Sequence, residues 1–132
     1  YLHAARVDTF PTTVLQALAC GTPVVASAVG GILEQVRSLT SLTGVPGHGR
    51  DAATGVLIPP GDPQGMGRAM VELLTDAALR HELGRNAVAD ARHRFGLTRQ
   101  REAYLEWYRE LVDAFAAGRA REAEISHAAS PA

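Results

Sequence analysis

The sequence predicts an α/β protein: a parallel β-sheet covered by helices, with further helices towards the C-terminus. Three observations predict it. Short apolar runs at Tyr1–Ala4, Pro23–Ala26 and Gly55–Ile58 suit strands buried on both faces of a parallel sheet. Segments with apolar residues at helical spacing follow those runs. Cap and turn residues stand at the joints between them.

Taken in order, Tyr1–Ala4 is the first strand and Ala5–Pro11 a loop. Thr12 or Thr13 can cap a helix through its hydroxyl, and Val14, Leu15, Leu18 and Ala19 recur at helical spacing within it. Gly21 ends this helix, because glycine takes the left-handed conformation without strain. Pro23–Ala26 then completes a strand–helix–strand unit, for which a right-handed crossover is expected. Gly31–Leu39 is predicted as a short helix with Ile32, Leu33 and Val36 on one face. Ser38–Thr54, rich in Ser, Thr, Gly and Pro, reads as a long surface loop at the amino ends of the strands.

Gly55–Ile58 is the next strand, and Pro59-Pro60-Gly61-Asp62 its turn. Asp62 can cap a helix that starts with Pro63, where the missing N–H costs nothing. Met66, Ala69, Met70, Leu73 and Leu74 form the apolar face of that helix. Asp76 caps another, carrying Leu79, Leu83, Ala87, Ala91 and Phe95 and stopped by Gly96. Thr98 opens a last helix with Tyr104, Leu105, Tyr108, Leu111, Val112 and Phe115 along one side. Gly118 is expected to end it, and 119–132 to form a disordered tail.

This order places a site. In parallel α/β sheets ligands bind outside the carboxyl ends of the strands, where Ala5–Pro11 and Ala28–Gly31 both lie. The helix starting near Thr12 aims free N–H groups and its positive dipole end into the same crevice, which suits an anion such as a diphosphate.

The stretch Asp8-Thr9-Phe10-Pro11-Thr12-Thr13-Val14-Leu15-Gln16, continued by Ala19-Cys20-Gly21-Thr22-Pro23-Val24-Val25 and Gly30-Gly31, resembles a known signature. It is that of the retaining, nucleotide-sugar-dependent glycosyltransferases (group 1, family 4, GT-B fold). That family's motif is Glu, seven residues and Glu, with Phe-Gly or Phe-Pro just inside, then an Ala-Cys-Gly-Thr-Pro-Val-Val run and a Gly-Gly loop. Gly55–Asp62 extends the likeness more loosely. Asp8 stands at the first acid and Gln16 at the second.

The resemblance implies a partial Rossmann-like sheet, the second half of a GT-B C-terminal domain. Residues 1–97 would belong to that domain, 98–118 to a C-terminal helix and 119–132 to the tail. It implies that Asp8 is the catalytic-site acid on the donor-sugar hydroxyls. Thr9, Phe10, Pro11, Thr12, Thr13, Gly30 and Gly31 would meet sugar and phosphates, and Gln16 the ribose. A neutral amide binds hydroxyls less strongly than a carboxylate. No metal or cofactor is expected beyond the nucleoside-diphosphate sugar itself.

Tyr1 opens the chain at a strand, which suggests a piece of a longer protein. The family then implies a preceding N-terminal acceptor domain and the first half of the donor domain. The fragment alone is expected to be inactive. Alternatives on the same pattern are a non-catalytic nucleotide-binding module, or a nucleotide-sugar epimerase or phosphorylase of the same fold.

Composition narrows the classes further. The net charge of -1 gives no electrostatic case for nucleic acid, and all 13 basic residues are arginine. The one cysteine, Cys20, is expected as a small buried apolar group and fits a reducing cytoplasm. No stretch is long enough to span a bilayer, and a peripheral membrane association is not visible. His3, Asp8 and Ser27 invite a triad, but no nucleophile elbow surrounds Ser27. Gly44-x-x-Gly47-x-Gly49 has no strand before it, so it is not a dinucleotide fingerprint.

Overall fold

The computed structural model describes residues 1–40 and 47–128, with side chains up to residue 119. The element order is β1 (Leu2–His3), α1 (Thr12–Ala19), β2 (Val24–Ser27), α2 (Ile32–Gln35), β3 (Gly55–Ile58), α3 (Pro63–Thr75), α4 (Ala77–Phe95) and α5 (Leu97–Ala128). The strands pair in parallel in the order β1-β2-β3, with Val25 opposite Leu2 and Val56.

Side chains on a strand alternate between faces, and here each face has its own core. Val24, Ala26 and Leu57 point to one side, against Val14 and Leu18 of α1, Ile32 of α2 and Ala87 and Ala91 of α4. Val25, Val56 and Ile58 point to the other, against Ala69 and Leu73 of α3 and Leu79 and Leu83 of α4. The α4 helix therefore serves both layers, its first half one and its second half the other. Full burial of a side chain such as Leu18 or Leu83 contributes about 1.5–3 kcal/mol.

Local signals locate most joints. Asp62 accepts from the Gly65 N–H at 2.7 Å with Pro63 in the first turn, and Asp76 accepts from the Leu79 N–H at 2.8 Å. Gly21, at φ 74°, follows the end of α1.

Four expectations for Tyr1–Phe95 need correction, and a fifth, for α5, follows. The residue before α1 is Pro11, and no side chain caps the helix; Thr12 and Thr13 lie inside its first turn. The Gly31–Leu39 helix is only the four-residue α2, since Val36 is already extended. Its continuation is taken up by β3's neighbours. The Arg37 N–H donates to Thr54 Oγ1, and Ser38 Oγ accepts from the Leu57 N–H at 2.9 Å. Ser38 and Leu39 are thus buried and bridged to Gly55 and His48, not part of a surface loop; 41–46 lies outside the described residues. Cys20 is exposed, at the carboxyl end of α1.

Contacts divide the chain into Tyr1–Phe95 and Gly96–Ala132. In the second unit α5 runs through Gly118 to Ala128. Surrounding Ala114, Ala116, Ala117 and Ala120 offset a glycine that costs about 1 kcal/mol in a helix. Of the expected tail, 129–132 lies outside the described residues.

Candidate functional site

The segment between β1 and α1 is held at four points, and these build the site. At its start the Ala5 N–H donates to Ser27 Oγ at 3.2 Å, tying the ends of β1 and β2 together. Next, His3 Nε2 lies 3.1 Å from Asp8 Oδ2. Further on, the Gly31 N–H donates to the Thr9 carbonyl at 2.8 Å. At the entry to α1, Gln35 Nε2 donates to the Pro11 carbonyl at 3.0 Å.

Gly30 and Gly31 are required by this packing. Gly30 has φ 49°, and a Cβ there would collide with the Asp8 carbonyl oxygen. A Cβ on Gly31 would collide with the Thr9 carbonyl oxygen and crowd the Phe10 ring. The two carboxyl-end loops touch backbone to backbone. Phe10 packs its ring edge-on to Phe95, centroids 5.9 Å apart.

Behind α2 stands an anchor that the sequence did not announce. Asp90 side-chain oxygens bind Arg37 Nε at 3.0 Å and Arg94 Nε at 2.8 Å. Arg94 reaches on to the Glu34 and Gln35 carbonyls at the end of α2, at 2.6 and 3.0 Å. Gln35 is fully buried, so α4 fixes α2, and Gln35 on α2 fixes the start of α1. Its Oε1 has no partner among the described residues. Partners 24 to 60 residues apart leave no periodic signal to read.

The crevice brings Asp8, Thr9, Phe10, Pro11, Thr12, Thr13, Gly30 and Gly31 to one end of the sheet. Asp8 is partly exposed, Thr12 and Thr13 are exposed, and the first turn of α1 has no capping side chain. The N–H groups of exposed Thr12 and Thr13 and the positive dipole end are therefore open to an anion, while Val14 behind them is fully buried. Gln16 is exposed one turn further along α1. A separate cavity of about 240 Å³ at the same ends of the strands is lined by Ala4, Arg6, Ser27, Pro59, Asp62 and Met66, not by Asp8. Among the described residues there is no cluster of His, Cys, Asp and Glu that would hold a metal ion. No helix there is long and apolar enough to cross a membrane.

A family model described as "Glycosyl transferases group 1" matches residues 1–90. The D-inositol 3-phosphate glycosyltransferase of Kineococcus radiotolerans is 39% identical over 112 residues, covering 85% of this chain and 24% of that protein. The same-named enzyme of Salinispora arenicola is 37% identical over 108 residues, covering 82% and 21%. Among solved structures, sucrose-phosphate synthase from Thermosynechococcus elongatus superposes with a TM-score of 0.68 at 30% identity, over 84% of this chain and 25% of that one. Anabaena HepE, solved in complex with UDP, shares the fold with a TM-score of 0.69 at 24% identity, over 83% and 27%. The chain spans about a quarter of the length of the curated relatives it matches.

Proposed function

The chain belongs to the group 1 glycosyl transferases, and from that premise we propose that its crevice holds a nucleoside-diphosphate sugar for retaining transfer to an acceptor. The observation that carries the reading is the uncapped start of α1 beside Asp8, at the carboxyl ends of parallel strands. The diphosphate lies at the N–H groups of Thr12 and Thr13, the sugar hydroxyls against the Asp8 carboxylate, and the ribose towards Gln16.

As the bond between sugar and diphosphate breaks, negative charge grows on the departing phosphate. The α1 N–H groups are already aimed at that charge, so stabilising it needs no rearrangement. The helix-dipole share is about 0.3–1 kcal/mol at an exposed site, which assists without sufficing. Asp8 orients the sugar so that the reacting carbon is presented in one pose. In this reading the helix start meets the leaving group's charge and no metal is required.

The chain matches about a quarter of its relatives' length, and in this reading it works within a longer enzyme that also binds the acceptor. The supporting experiment is a screen of that longer enzyme against a panel of nucleoside-diphosphate sugars. Release of nucleoside diphosphate with one donor, abolished by Asp8→Ala, is the expected result. Hydrolysis or transfer unaffected by Asp8→Ala would overturn the assignment.

A further inference from the structure

We propose that His3 is a positioning residue for Asp8: its imidazole pins one carboxylate oxygen and leaves the other to the ligand. The proposal rests on the reading of Asp8 given above and adds to it a residue that no motif marks.

The geometry is local and closed. His3 is the last residue of β1 and Asp8 lies five residues on, past the turn held by the Ala5 to Ser27 bond. His3 Nε2 stands 3.1 Å from Asp8 Oδ2, while Oδ1 has no partner among the described residues. Tyr1 Oη lies 3.4 Å from the other ring nitrogen, Nδ1, a long contact that leaves Nε2 as the nitrogen facing the carboxylate. His3 is the less exposed of the pair, its side chain at 18% against 28% for Asp8.

The backbone of Asp8 is held as well, since its carbonyl packs against Gly30 with no room for a Cβ. With the main chain fixed by Gly30 and Oδ2 fixed by His3, the carboxylate has one orientation. An aspartate on a surface loop would otherwise lose rotamer freedom when it binds a sugar hydroxyl, and His3 removes that cost beforehand. An N–H donated to a carboxylate is a charge-assisted hydrogen bond, strong enough to hold the rotamer.

The test uses the chain itself, labelled with 15N, and UDP-glucose and UDP as probes. In the wild type at pH 8 the His3 Nε2–H proton is expected as a resolved signal protected from solvent exchange, and Asp8→Asn should shift or remove it. A ring signal unchanged by Asp8→Asn would overturn the pairing. His3→Phe, which removes the donor, should weaken UDP-glucose binding roughly three- to tenfold and leave UDP unchanged. His3→Gln, which returns an N–H donor at similar reach, should recover most of the loss. If Asp8→Asn weakens UDP-glucose binding and His3→Phe does not, the positioning role is refuted while the role of Asp8 stands. If neither substitution changes UDP-glucose binding, the reading of Asp8 fails and the positioning role fails with it; the ring signal still reports whether the pair exists.

Discussion

The Gly31 N–H donates to the Thr9 carbonyl at 2.8 Å, and the space beside that bond admits no side chain on Gly31. The loop bearing Asp8 is therefore seated on the loop that follows β2. A group at one loop cannot move without the other.

Substituting these glycines should damage the site and the fold together. Gly30→Ala combines a left-handed backbone with a collision at the Asp8 carbonyl, and is expected to destabilise by about 1–3 kcal/mol. Gly67→Ala is the matched control: Gly67 is exposed in α3 with open space around it, so it should stabilise by about 0.5–1 kcal/mol. Urea unfolding of both variants reads the opposite signs. A neutral Gly30→Ala would mean that the two loops are not in contact in solution.

Asp90 should matter more than its place on a charged helix suggests. Its side chain is only 8% exposed and joins Arg37 to Arg94, which in turn binds the end of α2. Asp90→Ala leaves two guanidinium groups without their carboxylate and should cost roughly 1.5–3 kcal/mol. Glu102→Ala, from the exposed Arg101–Glu102 pair, should change stability by less than about 0.5 kcal/mol. Equal effects in denaturant titrations would contradict the anchor.

The Asp76 cap should give an acid limb to stability. The Leu79 N–H lowers the Asp76 carboxyl below its ordinary value, with the Arg50 charge adding to this and burial opposing it. A carboxyl lowered by folding stabilises above its unfolded pKa, and that contribution is lost as pH falls through the folded value. The gap in melting temperature between wild type and Asp76→Ala should be constant from pH 5 to 8 and close below about pH 4. A gap that persists unchanged at pH 2 would remove the charge from the explanation.

Gln16 tests the ribose side of the crevice. Two ribose hydroxyls suit a carboxylate better than an amide, so Gln16→Glu should tighten UDP binding by about 1 kcal/mol, near fivefold. Calorimetry of Gln16→Glu and Gln16→Ala decides it. Unchanged affinity in both would place the ribose elsewhere.

What the sequence made legible is what short-range chemistry encodes. Asp62 before Pro63, Asp76 before α4, Gly21 after α1 and the β3 run each act within a few residues, and each stands where it was expected. The failures have tertiary causes. Apolar spacing carries on through Val36, yet Arg37 and Ser38 take Thr54 and Leu57 as partners, and α2 stops. Gly118 alone predicts a terminator, but α5 continues through it among alanines. At the site, the ordered stretch from Asp8 to Gly31 marked the residues that come together. The Gln35 tether and the Arg94 anchor join residues by geometry alone, and composition cannot show them. His3, Asp8 and Ser27, grouped in the sequence only as a triad without an elbow, do meet, as a side-chain pair and a backbone tie.

The most direct test of the account is a titration of the 15N-labelled chain with UDP-glucose, read at the backbone amides. The account expects the largest shifts at Thr12, Thr13 and Val14, with Asp8 and Gly30 following, and none at Thr22 or Gly84 at the amino ends of the strands. Shifts centred on Arg6 and Asp62, or none at millimolar UDP-glucose, would contradict it.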